Sequence, residues 1–485
     1  MSHSASYELV VGLEVHVQLD TESKIFSSDC TAFGVAANRN VSSITLAHPG
    51  TLPKLNAAVI DMAIKMGLAC NSSITRNFGF DRKNYFYPDL PKGYQLTQDR
   101  APICVGGSIK TKQKNGVDTP IRLHKIHLEE DAGKSMHDGD AVKSKIDFNR
   151  AGVPLIEIVT EPDIRSSDEA VGILAEIRRL VRYLGISNAN MEEGSMRCDA
   201  NISIRPLGSK ALGSKVEIKN MNSLRNVSRA IEYEFHRQSQ MKEKDLPIVS
   251  ETRTFNAENG TTSGMRMKEE LNDYRYFPEP DLSVVELTEE YIQNVRSTMP
   301  LLPEQLVHIF RNEYGLSEYD AGVLVEEQSL ALFALELIKT SEHVKAVANW
   351  LMGPVKSYLN LNNSTIDQFP LKKETLLELI HIVESGKVSH SAAKQHIFPY
   401  LLDHPNSSAS EAIQTLDLQQ DSSEENIKAE IEKVLQALPE KVQAYKGGKK
   451  GLIGLFMGEV MKQTKGKIDP QVANRLLRES LETIA

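Results

Sequence analysis

The chain has 485 residues with 56 Lys and Arg against 65 Asp and Glu, a formal charge of −9, and is 40% hydrophobic and 25% charged. This length suggests about three domains, and the composition excludes collagen-like and wholly disordered chains. The acidic balance argues against nucleic-acid binding through an overall basic surface and leaves room only for local basic patches. No apolar run is long enough for a transmembrane helix, and the first residues, Met1-Ser2-His3-Ser4-Ala5-Ser6, are too short and polar for a signal or transit peptide. Four scattered cysteines without a C-x-x-C pair fit a reducing cytoplasm, the expected location, better than a disulfide scaffold.

The first element is a strand. From Leu9 to Leu19 the odd positions are all Leu or Val, while Glu14, His16 and Gln18 fall on the even side. Glu14 and His16 therefore share a face, roughly 6.5–7 Å apart. A helix is predicted over 56–68. The segment Asp81 to Lys92 mixes Arg82, Lys83, Tyr85, Phe86 and Tyr87 with two prolines and cannot be one regular helix.

The segment His127-Leu128-Glu129-Glu130-Asp131-Ala132-Gly133-Lys134-Ser135 ends like a phosphate-binding loop. Position 128 is Leu where that motif needs Gly, so the Walker reading fails. What remains is three acids beside a His, a donor set suited to a divalent ion, magnesium or manganese, shared with Glu14, His16 and Glu157. Glu157 stands alone in the apolar run Pro154–Val159, where a lone carboxylate is costly unless it is paired or binds a metal. A second helix is predicted from Ser167 as N-cap to Leu184, stopped by Gly185.

Two further strands carry charged faces. Met196–Arg205 alternates Arg197, Asp199, Asn201, Ser203 and Arg205 on one side, and Lys215-Val216-Glu217-Ile218-Lys219-Asn220 groups Lys215, Glu217 and Lys219. Such a sheet face suits a cradle for a charged substrate. Asp273 to Asp281 repeats the basic–aromatic flavour with Tyr274, Arg275 and Tyr276. After about residue 293 the pattern turns helical, and a Ser/Asn/Pro-rich joint near 404–410 precedes a last helical block. Between Lys441 and Lys467 that block holds seven Lys and one Glu, a candidate phosphate-backbone contact in an acidic chain. No G-x-S-x-G or H-E-x-x-H motif is present.

These motifs in this order, Val11–Leu19, Asp81–Asp89, His127–Lys134, Glu192–Asn201 and Asp273–Asp281, closely resemble the GatB/GatE family of aspartyl/glutamyl-tRNA(Asn/Gln) amidotransferase components, over essentially the whole chain. The absence of room for a large inserted domain favours the GatB branch over GatE. The resemblance implies an α+β fold: an N-terminal cradle domain with a large, mainly antiparallel sheet related to glutamine synthetase and guanidino kinases (1–292), an all-helical domain (293–405) and a small YqeY-like helical tail that binds tRNA (406–485). It implies the kinase and transamidase component of a GatCAB heterotrimer. Such a component uses ATP and magnesium to phosphorylate the side-chain carboxylate of Glu-tRNA(Gln) or Asp-tRNA(Asn). Ammonia from the glutaminase partner, GatA, then amidates it, and a third partner, GatC, holds the other two together.

Carried onto this sequence, the pattern implies His16, Glu130 and Glu157 as magnesium ligands and Glu14, Glu130 and Glu157 as the catalytic carboxylates, with Glu129 the neighbouring alternative to Glu130. Nucleotide or acyl-group contacts are expected from Arg197, Asp199, Asn201, Arg205, Lys215, Glu217 and Lys219. Contacts to tRNA are expected from Arg82, Lys83, Tyr85, Tyr274, Arg275, Lys446, Lys449 and Lys450. Many family members carry a zinc site near the N-terminus, but the corresponding positions here are Ser27, Asp29, Ser42 and Thr45. No zinc is expected, and the segment 27–49 is expected to be held by ordinary packing.

Overall fold

The computed structural model describes residues 7–112, 118–136, 143–267, 274–418, 424–464, 468 and 470–483. They form two compact units, Met1–Leu302 and Pro303–Ala485; Asp273 of the basic–aromatic motif lies outside the described residues.

The first unit is built on a ten-stranded sheet. Its strands are β1 (Tyr7–Gln18), β2 (Ser73–Ile74), β3 (Cys104–Val105), β4 (Ser108–Lys112), β5 (Asp118–Glu130), β6 (Pro154–Thr160), β7 (Met196–Pro206), β8 (Val216–Lys219), β9 (Glu251–Asn256) and β10 (Thr261–Met267). The order across the sheet is β10-β9-β8-β7-β1-β6-β5-β3-β2, with β4 also pairing β5. All of these pairs are antiparallel except β8 with β9. The fold is therefore α+β with a mixed, mainly antiparallel sheet.

One face of the sheet is apolar. Val11, Leu13, Val15 and Val17 of β1, Ile126 and Leu128 of β5, Ile156 and Ile158 of β6 and Ala200 and Ile202 of β7 are all buried in one core. Helices α1 (Ala58–Ala69), α2 (Ser167–Tyr183) and α3 (Leu224–Glu243) cover it. Helix α2 buries Ala170, Ile173, Leu174, Ile177, Leu180 and Val181, as its 3.6-residue spacing requires. Its N-cap is Ser166, whose hydroxyl accepts the Glu169 N–H, so the cap sits one residue before the expected Ser167. The helices approach the strands closely: a Cβ at Gly67 would run into Cys104 Sγ, and one at Gly172 into Thr111 Oγ1.

Helix α4 (Glu289–Ser297) buries Ile292 and Val295 in the same core. The compact first unit thus runs on to Leu302, because the change of composition near 293 falls inside a helix that packs backwards.

In the second unit, the helix Ala409–Leu416 is tied to the helix Lys373–Glu384. The Ala409 and Ser410 N–H groups donate to the Glu378 carboxylate at 2.9 and 3.2 Å. A separate core closes between the helices Glu424–Ala437, Ile453–Gln463 and Pro470–Thr483, with Ile427, Ile431, Phe456, Val460 and Leu477 at its centre. The joint at 404–410 therefore does not divide two cores; Ala409 and Ala412 still pack with what precedes them.

Candidate active site

The other face of the sheet is charged, and strand register sets its order. Arg197 of β7 lies opposite His16 of β1, His16 opposite Glu157 of β6, and Glu157 opposite His127 of β5. One row of four side chains therefore crosses four strands. In the adjoining rows Asp199 faces Glu14, and Leu155 faces Glu129. These residues line a cavity of about 1230 Å³ that Lys83, Tyr85, Lys125, Tyr274, Tyr276 and Lys219 complete.

His16, Glu129 and Glu157 converge. His16 Nε2 is 3.3 Å from Glu157 Oε2 and 3.5 Å from Glu129 Oε1. Behind them His127 Nε2 is 3.3 Å from Glu157 Oε2 and 3.8 Å from Glu129 Oε2. Burial pushes the His16 imidazole down, but the hydrogen bond and charge of Glu157 and the charge of Glu129 outweigh it and raise the pKa to about 9. The same contest raises His127. Burial would raise Glu157, yet hydrogen bonds from His127 and His16 hold it well below the usual carboxylate range. A second group, Glu14, Asp199 and Glu217, also has its ligand atoms within 4.8 Å of one another. There Lys219 Nζ pairs with Asp199 and, at 3.0 Å, with Glu217, and Asn201 Nδ2 donates to Glu14 at 2.7 Å.

The donor set fits a divalent cation. Cis ligands on an octahedral magnesium lie about 3 Å apart, close to the two His16–carboxylate separations.

The expected ligand Glu130 is not in this group. On β5, Ile126 and Leu128 point into the core, His127 and Glu129 point into the cavity, and Glu130 follows the core side. There its carboxylate accepts the Lys92 ammonium at 2.5 Å and the Leu96 N–H at 2.8 Å, in a separate cavity of about 220 Å³. Glu130 is corrected to Glu129 at the cluster.

Arg197, Asp199, Glu217 and Lys219 reach the cavity, and Asn201 reaches it through Glu14. Arg205 does not. It pairs with Glu8 at 2.5 Å, eight residues along β7 from Arg197, and at strand spacing that is about 26 Å away. Lys215 precedes β8 and is exposed outside the cavity lining.

Of the basic–aromatic residues, Lys83, Tyr85 and Tyr274 form one wall, with Lys83 Nζ 5.0 Å from the centre of the Tyr274 ring. Arg82 is engaged elsewhere: its guanidinium makes two 2.7 Å hydrogen bonds to buried Glu279 and a 3.2 Å pair with Asp281. Arg275 adopts φ +44°, and its carbonyl accepts Asn84 at 2.8 Å. Lys446, Lys449 and Lys450 are exposed in the second unit, and Lys450 lies 4.3 Å over the Tyr445 ring.

Ser27, Asp29, Ser42 and Thr45 also converge, and not by packing alone. The Asp29 carboxylate accepts the hydroxyls of Ser27 (3.0 Å), Ser42 (2.9 Å) and Thr45 and the Ser42 N–H (2.9 Å). Burial raises this carboxyl less than those donors lower it.

Glu129 is missing as first choice from the expected ligands, and His127 and Asp131, expected only as part of the acidic run beside the His, also line the cavity. The alternation Ile126/Leu128 against His127/Glu129 is the signal that finds the first two.

Residues 9–293 match the family model described as the GatB/GatE catalytic domain, and residues 333–481 match the one described as the GatB domain. The chain belongs to the GatB/GatE family. Several similar proteins are named as the B component of aspartyl/glutamyl-tRNA(Asn/Gln) amidotransferase. That of Synechococcus sp. (strain JA-2-3B'a(2-13)) is 46% identical over 98% of both chains. That of Thermodesulfovibrio yellowstonii is 45% identical over 97% of this chain and 98% of its own. That of Salinibacter ruber is 44% identical over 98% and 97%. Within the GatB/GatE catalytic domain fall both carboxylate groups of the cavity.

Proposed function

We propose that this chain is the GatB component of a tRNA-dependent amidotransferase and that the charged cavity is where a mischarged Glu-tRNA(Gln) or Asp-tRNA(Asn) is activated with ATP and amidated. A glutaminase partner would supply ammonia from glutamine, and a third component would hold the assembly together. The observation that carries the reading is the meeting of His16, Glu129 and Glu157, distant in sequence, on one wall of a cavity that also holds Arg197, Lys219 and Lys125. Full-length kinship with proteins named for this amidation supports it.

A carboxylate is a poor electrophile, so one of its oxygens first attacks the γ-phosphorus of ATP and ADP leaves. Ammonia then attacks the acyl carbon, inorganic phosphate leaves, and the amide remains. A magnesium ion at His16, Glu129 and Glu157 would neutralise phosphate charge during the transfer. Arg197 and Lys219 would face the phosphates from the β7–β8 side, while Glu14, oriented by Asn201, completes the second acidic group. His127 fixes the Glu157 and Glu129 carboxylates from behind, as groups behind metal ligands commonly do. No helix among the described residues is long and apolar enough to cross a membrane, and the exposed lysines 446, 449 and 450 suit a tRNA backbone.

The test is an amidation assay with each mischarged tRNA, ATP, magnesium and glutamine, with and without the glutaminase and bridging partners. Amidated tRNA is expected only with all three components. A chain with Glu129→Gln should form none, whereas full ATP-dependent activity of that variant would contradict the reading.

A further inference from the structure

Asp131 sits just past the end of β5 and is almost fully buried. Its Oδ1 accepts the Ala132 N–H at 2.9 Å, with Arg150 Nε 3.7 Å away. Its Oδ2 accepts Gln18 Nε2 at 2.8 Å and lies 2.9 Å from Arg197 Nη2. The backbone is pinned as well: the Asp131 N–H donates to Val153 and its carbonyl accepts the Gly152 N–H. This carboxylate is thus a fixed post, and Arg197 is tethered to it at one edge only, since Arg197 Nε is buried without a partner.

The tether stands beside the candidate cation site. Arg197 is the register partner of His16. Glu129 and Asp199 are among the carboxylates whose charge acts most strongly on its guanidinium, one from each acidic group of the cavity. Without a competing anion, Coulomb attraction draws the guanidinium onto one of them, and a monovalent side chain then occupies carboxylate oxygens that a divalent ion needs.

We propose that Asp131 is a positioning residue that holds the Arg197 guanidinium off Glu129 and Asp199, keeping those carboxylates open for a divalent cation while leaving Arg197 facing the cavity. This rests on the function proposed above and adds to it the group that keeps cation and guanidinium apart.

The test is Mn²⁺ binding to the full-length chain, followed by electron paramagnetic resonance of the free ion, with folding monitored by circular dichroism. Asp131→Asn should weaken Mn²⁺ binding about tenfold, as loss of groups behind metal ligands does. The double variant Asp131→Asn/Arg197→Met should recover to within about twofold of wild type, because the intruding cation is gone. Arg197→Met alone should bind Mn²⁺ at least as tightly as wild type, and it decides the matter if Asp131→Asn does not fold. Unchanged affinity in Asp131→Asn, no recovery in the double variant, or weaker binding in Arg197→Met overturns the proposal and leaves the amidation reading standing. A wild-type chain that binds no Mn²⁺ overturns both.

Discussion

Strands β1, β5, β6 and β7 present two faces that differ by a single residue of register and by almost all of their chemistry. On one face Val15, Ile126, Ile156 and Ala200 close a core under α1, α2 and α3. On the other, Arg197, His16, Glu157 and His127 stand in one row above a cavity. Glu129 and Glu130 make the comparison sharpest. They are adjacent, both carboxylates and both buried, yet one faces two imidazoles and the other a lysine. Position on the pleat, and not residue type, decides which of them can serve the chemistry.

The comparison breaks most visibly if the charged face is dispensable. Glu157→Ala removes the centre of the row and should lower amidation on the order of 100-fold or more in the assembled enzyme, while thermal unfolding still shows a folded chain. A near-normal rate would place the reaction elsewhere.

A smaller effect is expected away from both faces, in the Asp29 knot. Asp29→Ala leaves the hydroxyls of Ser27, Ser42 and Thr45 without their common acceptor and should destabilise the first unit by about 1–3 kcal/mol, read from urea unfolding. It should leave Mn²⁺ affinity unaltered, and a loss of Mn²⁺ binding would tie the knot to the cavity.

The proton on His16 gives a third test. Its folded pKa is raised to about 9 from the ordinary value of 6.5. In the presence of chelator, the stability this adds over a His16→Gln variant should be fully present below about pH 6.5. It should be lost as the pH rises through about 9. A divalent ion competes with the same proton, so Mn²⁺ affinity should rise with pH up to that point. An advantage of wild type over His16→Gln that grows with pH would contradict the pairing with Glu157.

The smallest effect belongs to the second unit. Lys449→Ala or Lys450→Ala should weaken tRNA binding modestly and reduce its salt dependence by roughly one unit of slope. An unchanged slope in both variants would remove these lysines from the interface.

Much of this was legible in the sequence. The alternation of β1 placed Glu14 and His16 on one face, Glu157 stood out as a carboxylate in an apolar strand, and Asp199, Glu217 and Lys219 followed from the period of β7 and β8. Glu130 was carried over from the family pattern with Glu129 as its neighbouring alternative, and β5 offers no simple check between the two because the strand changes phase. A register shift opposite Val159/Thr160 separates Leu123, which is buried, from Ile126 and Leu128, also buried, so alternation read from the start of the strand gives the wrong face at its end. Only the stretch Ile126 to Glu129 carries the correct phase. Arg205 and Lys215 were placed by face alone, which says nothing of distance along a strand. Arg82 and Asp131 depend on partners some 200 and 66 residues away, Glu279 and Arg197, and no local pattern announces such pairs.

The most direct measurement is the Mn²⁺ affinity of three full-length chains: wild type, Glu129→Gln and Glu130→Gln. The His16, Glu129 and Glu157 cluster predicts that Glu129→Gln loses affinity by about 10–100-fold, while Glu130→Gln, which strands Lys92, melts at a lower temperature but binds Mn²⁺ as wild type does. Loss of Mn²⁺ binding in Glu130→Gln with retention in Glu129→Gln would contradict the assignment of the two faces.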